Sequence, residues 1–150
     1  MFETLHASHN GSLYRAHLRD RGDIAHVVGE HRLETISTYD NEVVFWFTPS
    51  THRSHLQVNM QATQLLLLTT ALTPRRVPLL RGNIVITGND GCSNPAGLTA
   101  EQINQLTTME PSSTQQYILD WRVTRDQRAQ RRARRLTEAT HLDGIMRSRR

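Results

Sequence analysis

Seven arginines, Arg122, Arg125, Arg128, Arg131, Arg132, Arg134 and Arg135, have the side chains and the spacing to engage a partner chemically. A guanidinium presents five N–H donors in a rigid fork and pairs bidentately with a phosphate or a carboxylate. Steps of three and four residues would bring several of them onto one face of a helix. Residues 122–150 hold ten Arg against three acids (Asp126, Glu138 and Asp143), a formal +7. Residues 1–121 hold eight Arg against eleven acids, a formal −3, and the two parts make up the chain's +4. A mildly acidic body with a basic end points to a polyanionic or acidic partner engaged at that end. Every basic residue is Arg and none is Lys. A GC-rich coding sequence accounts for that choice but not for the clustering.

The basic stretch admits three roles. As a nucleic-acid contact it would neutralise phosphates and release counterions, so binding would fall steeply with salt. It carries Arg and Gln (Gln127 and Gln130) but no recognised DNA-binding motif, so sequence-specific readout is not expected. As a protein-interaction module it would dock on an acidic surface of a host or virion protein as an inhibitor or adaptor. An apolar stripe through Ala129, Ala133 and Leu136 would then matter as much as the arginines, and the same stripe could pair two copies into a homo-oligomer. The third reading is a solvated basic extension.

The remaining reactive residue types are sparse. His52-Arg-Ser-His55 places two imidazoles at i, i+3, a spacing that can share a metal ion. A site needs further ligands, and Cys92, Asp40 and Asp90 are the obvious recruits. The default for this segment is a polar loop with two solvated histidines, and no metal site is assigned. Residues 82–91 hold three glycines near a strand end, and residues 88–97 precede a helix start at Thr99, where backbone amides can meet an anion. The spacing is neither that of a Walker loop nor that of a dinucleotide fingerprint, and a tight turn with Gly at positive φ is the simpler reading. Cys92 lacks the local signature of a nucleophile, and no G-x-S-x-G elbow is present. No catalytic residue and no cofactor is assigned, and the expectation is a non-enzymatic protein.

These residues must be carried by a modest scaffold. A length of 150 residues fits one domain, and 37% hydrophobic content leaves part of the chain outside a core. Residues 1–11 read as a flexible N-terminus without a signal peptide. Residues 12–18 suit a strand or a short helix. Ile24, Val27 and Val28 mark a short helix from Asp23, stopped by Gly29. Residues 33–38 and Val43-Val44-Phe45-Trp46-Phe47 form a hairpin around Asp40-Asn41, the second strand apolar enough to be central and covered on both faces. Asn59 caps a helix over residues 60–72 whose Leu65-Leu66-Leu67-Leu68 centre must be buried. Residues 83–87 are a strand ended by Gly88. Thr99 and Gln102 make a capping box for a helix to about residue 109, and Ser113 with Gln116 suggests a second box. From there a helix runs to about residue 140, rooted on the body by Tyr117, Ile118 and Trp121, and residues 146–150 read as disordered.

The expected fold class is therefore α+β: a small antiparallel sheet with a buried helix over residues 12–110, then a long Arg-rich C-terminal helix and tail over residues 111–150. A single cysteine excludes an intrachain disulfide and suits a reducing cytoplasm. No apolar run is long enough to span a bilayer, so no membrane partner is expected.

Three segments also carry a resemblance. They are a short helix followed by a hairpin over residues 24–47, an Asn59-Met-Gln-Ala62 helix start, and Gly82-Asn-Ile-Val-Ile-Thr87-Gly88 followed by Gly91 and Leu98-Thr99. Together, over about residues 12–109, they resemble a family of small domains frequent in actinobacteria and their phages, domain of unknown function 3846. The resemblance implies a phage, prophage or mobile-element setting, hence the host cytoplasm for a phage-encoded chain, and no defined activity. The arginine stretch lies outside it, and no functional residue carries over.

Overall fold

A computed structural model describes residues 1–50, 52, 55–92 and 94–148. Their elements are β1 (Phe2–Ala7), β2 (Leu13–Leu18), α1 (Arg21–Val28), β3 (Glu34–Ser37), β4 (Val43–Phe47), α2 (Met60–Thr69), β5 (Ile84–Asn89), β6 (Pro95–Ala96), α3 (Ala100–Thr108) and α4 (Ser113–Ser148). The chain divides into two units, Met1–Ser112 and Ser113–Arg150. The first holds an antiparallel sheet in the order β2-β1-β5-β4-β3, with β6 paired to the end of β5. This is an α+β fold, with the small antiparallel sheet and buried helix expected from the sequence.

The N-terminus is the largest departure from expectation. Residues 1–11 are not a flexible lead-in, because Phe2–Ala7 is an inner strand hydrogen-bonded to β2 on one side and β5 on the other. Its polar letters conceal the strand. The Thr4 hydroxyl is buried but donates to the Ala16 carbonyl at 3.0 Å, and Glu3 pairs with Arg15 at 3.1 Å across the β1–β2 register. An inner position thereby tolerates residues that look solvated in the sequence.

Strand alternation divides the core between the two faces of the sheet. On one face Trp46, Val44, Val85 and Leu18 pack with Ile24 and Val28 of α1. The buried indole N–H of Trp46 donates to the Thr87 hydroxyl at 2.9 Å. On the other face Leu5, Phe45, Ile84 and Ile86 are fully buried, as are Leu65 and Leu66 of α2. The β4 strand is an inner strand between β5 and the edge strand β3, and all but Phe47 is buried, in keeping with its unbroken apolar run.

Asn59 ties this unit together. It is 1% exposed, accepts from the Ala62 amide as the N-cap of α2, and donates through Nδ2 to the Ala7 carbonyl at 2.9 Å and the Gly82 carbonyl at 2.8 Å. One side chain thus caps a helix and satisfies two buried carbonyls on separate segments. The helix α2 ends at Thr69, before the expected residue 72. The Thr69 and Thr70 hydroxyls turn back to the Leu65 and Leu66 carbonyls, both at 2.7 Å, at this end of the helix.

Gly88 does not end β5 but lies within it, and a Cβ there would sit 2.6 Å from the Gly97 carbonyl oxygen. Close approach of the β6 segment, rather than a positive φ, requires this glycine. The Thr99–Gln102 capping box forms as expected. Ser113 is already the first residue of α4, and Gln116 donates to Asp120 at 2.8 Å. The helix continues past residue 140, so residues 146–148 are helical rather than disordered. Arg, Ala, Leu, Glu and Gln are strong helix formers, and their propensity outweighs the repulsion among neighbouring arginines. Arg149 and Arg150 lie outside the described residues.

Candidate nucleic-acid interface

The 36 residues of α4 extend about 54 Å at the α-helical rise. The turn of 3.6 residues sets where each side chain emerges. Tyr117, Trp121, Arg125, Arg128, Arg132 and Arg135 fall within about 80° of helix circumference, with Arg131 about 40° to one side. Arg134 projects on another face. Arg125, Arg128, Arg131, Arg132, Arg134 and Arg135 are all exposed, and none makes an ion pair among the described residues. Arg122 differs: it is half-buried, and desolvation lowers its pKa from the ordinary arginine value.

Tyr117 and Trp121, expected from the sequence to root the helix on the body, are 73% and 56% exposed. The Arg125 guanidinium carbon stands 5.5 Å from the centroid of the Trp121 ring. The two aromatics and the arginines line a shallow groove along the helix, with Thr124 and Ala129 at its edges. Asp120 is the carboxylate at this groove, and it accepts from the Gln116 amide at 2.8 Å. Asp126 projects from the opposite side of the helix and accepts from Gln130 at 2.8 Å. The face is cationic and partly aromatic, with several N–H forks left for acceptors in a partner.

The apolar stripe has its own sector. Ala129, Ala133 and Leu136 are exposed and fall within about 60°, beside the arginine face rather than on it. Further along, Leu142 and Met146 are exposed at 61% and 70%.

The other candidate residues belong to the first unit, and several are engaged there. His55 is not a solvated loop histidine. It is buried against Gly29 and Gly82, with Nε2 3.3 Å from Glu30 Oε1. The Glu30 carboxylate also accepts from Ser50 Oγ at 3.4 Å. His52 is exposed, its ring 6.1 Å from that of His55. Asp90 accepts from the Cys92 and Asn94 amides, and Asp40 from the Thr38 hydroxyl and the Glu42 amide. These bonds hold both carboxyl groups below the usual aspartate range. Both acids organise turns. Among the described residues no three His, Cys, Asp or Glu side chains are placed to hold one metal ion. Cys92 is exposed and free. No helix among them is long and apolar enough to cross a membrane.

No protein-family model, curated protein or solved structure matches the chain. The family resemblance therefore stands on the three sequence segments that suggested it. The sequence sets Tyr117, Ile118 and Trp121 together on a helix face expected to pack on the body, which hides the aromatic half of the arginine face. The helical phase of Tyr117 and Trp121, shared with Arg125 and Arg128, was the available signal that they lie on the solvated face.

Proposed function

We propose that this chain is a non-enzymatic accessory protein of phage or mobile-element type that binds nucleic acid through α4. The observation that carries the reading is the set of exposed arginines on one face of α4, without carboxylate partners among the described residues. Such a face attracts a phosphate backbone at long range and holds it by charge-assisted hydrogen bonds. The mobile-element setting rests on the resemblance of residues 12–109. A cytoplasmic location fits the exposed free thiol of Cys92. Mobility shift of duplex and single-stranded nucleic acid tests the reading. The full chain should shift nucleic acid at low salt, and a chain lacking residues 122–150 should not. Retained binding by the shortened chain would remove α4 from the account.

A second reading is favoured by the exposed Ala129, Ala133 and Leu136 sector, which suits an acidic protein surface with an apolar strip or a second copy of the helix. It predicts that Ala133→Glu abolishes partner binding while paired Arg→Gln changes on the neighbouring face do not. Light scattering of the same variants separates self-association from capture of a different protein.

A further inference from the structure

We infer that the ligand of α4 is single-stranded nucleic acid with unstacked bases, held by stacking on Trp121 and Tyr117 while the arginines beyond them take the phosphates. This deepens the nucleic-acid reading of α4 and rests on it.

A basic face alone does not distinguish duplex from single strand, because both present phosphates. The aromatics do. Tyr117 and Trp121 lie one helical turn apart in the same sector as the arginines, and both rings are mostly open to solvent. Large exposed rings beside a charged face leave apolar surface in water unless a partner covers it. In a duplex the base faces are already covered by their neighbours, so side chains at the surface reach only base edges and the backbone. In a single strand the faces are available, and sequence-tolerant stacking on aromatic side chains is the usual means of capture.

The spacing agrees. Four residues of helix advance about 6 Å, so the two rings are offset along the axis by clearly more than the 3.4 Å per nucleotide of a stacked strand. Bases on both rings must therefore be drawn apart, as in an extended single strand. The chain then continues over Arg125, Arg128 and Arg132. The Arg125 guanidinium carbon lies 5.5 Å from the Trp121 ring centroid, which places a phosphate-binding fork next to the ring.

The protein carries its own reporter. It has two tryptophans, and Trp46 is 3% exposed with its indole N–H bonded to Thr87. A base that stacks on tryptophan quenches its emission, and Trp121 is the ring such a base can reach. The test is a low-salt titration of the full chain with a single-stranded DNA oligonucleotide, and separately with the duplex it forms with its complement, following tryptophan emission and the anisotropy of labelled DNA.

The inference predicts tighter binding of the single strand and quenching by it alone. Trp121→Ala should weaken single-strand binding about tenfold and leave duplex binding within about twofold. Trp121→Phe should restore most of that affinity while abolishing the quench. Equal binding of both forms without quenching would overturn the stacking inference and leave a basic helix that binds backbone alone. Absence of binding to either form would overturn both the inference and the reading beneath it. Trp121 is exposed, and Ala is a better helix former than Trp, so neither substitution threatens the fold.

Discussion

The Arg125 guanidinium rests over the Trp121 indole at 5.5 Å, and the same pair type recurs where Arg21 rests over Trp46 at 5.4 Å. The second ring is a core residue and the first is not, so similar geometries serve different ends. An exposed cation–π contact contributes roughly 0.5–1 kcal/mol. Arg125→Gln should therefore change unfolding free energy in urea by no more than about 1 kcal/mol, while lowering the salt slope of nucleic-acid binding by about one. A large loss of stability with an unchanged slope would make Arg125 a structural residue.

Asn59 is the most consequential polar residue of the first unit. Asn59→Ala removes the cap of α2 and leaves the Ala7 and Gly82 carbonyls buried without that donor. The cap is worth about 1 kcal/mol and each abandoned carbonyl about 1 kcal/mol or more. A destabilisation of about 3 kcal/mol is expected in chemical denaturation. Asn59→Asp keeps the acceptor for Ala62 but offers neither carbonyl a donor, so it should be no better than Ala. A cost below about 1 kcal/mol for Asn59→Ala would show that these carbonyls find other partners.

Two glycines separate crowding from backbone strain. A methyl group at Gly88 meets the Gly97 carbonyl oxygen at 2.6 Å, whereas at Gly91 it meets nothing within 4 Å but the φ is +86°. Gly88→Ala should cost about 2 kcal/mol and loosen the β5–β6 pairing, seen as faster amide exchange in that segment. Gly91→Ala should cost about 1 kcal/mol and leave exchange elsewhere unchanged. The reverse ranking would contradict the packing described for Gly88.

His6 makes the first unit sensitive to acid. Its Nε2 is buried without a hydrogen-bond partner. Desolvation lowers its pKa below 6.5, partly opposed by a hydrogen bond with Asn83, and nearby His9 lowers it further. The unfolded chain then binds the proton more readily than the folded one. The contribution of His6 is fully present above 6.5 and is lost as pH falls from there through the depressed folded value. Urea denaturation at pH values on either side of 6.5 should show this loss in the parent chain and a flatter profile in His6→Phe. An NMR titration midpoint for His6 above 6.5 would reverse the sign and refute this account of His6.

Much of the scaffold was legible because its signals are local. The apolar run Val43–Phe47, the Asn59 cap and the Thr99–Gln102 box each specify their element through short-range chemistry. The β1 strand was not legible, since Glu3, Thr4 and His6 become compatible with an inner strand only through contacts with Arg15, Ala16 and Asn83, which lie far along the chain. His55 was misread for the same reason: its burial depends on Gly29, Glu30 and Gly82 meeting around it. On α4 the arginines were legible from composition, but the role of Trp121 was not. Residue type favours burying an indole, and only its helical phase with Arg125 and Arg128 marks the ring as part of the solvated face.

The most direct measurement of the central claim is the salt dependence of nucleic-acid binding by the full chain, compared with a variant in which Arg125, Arg128, Arg132 and Arg135 are all Gln. A linear log–log decline of affinity with salt is expected for the parent chain. Its slope should become shallower by about three to four units for duplex, or slightly less for a single strand, in the variant. An unchanged slope in a folded variant, or no binding by the parent chain even at low salt, would contradict the claim that this face of α4 holds phosphates.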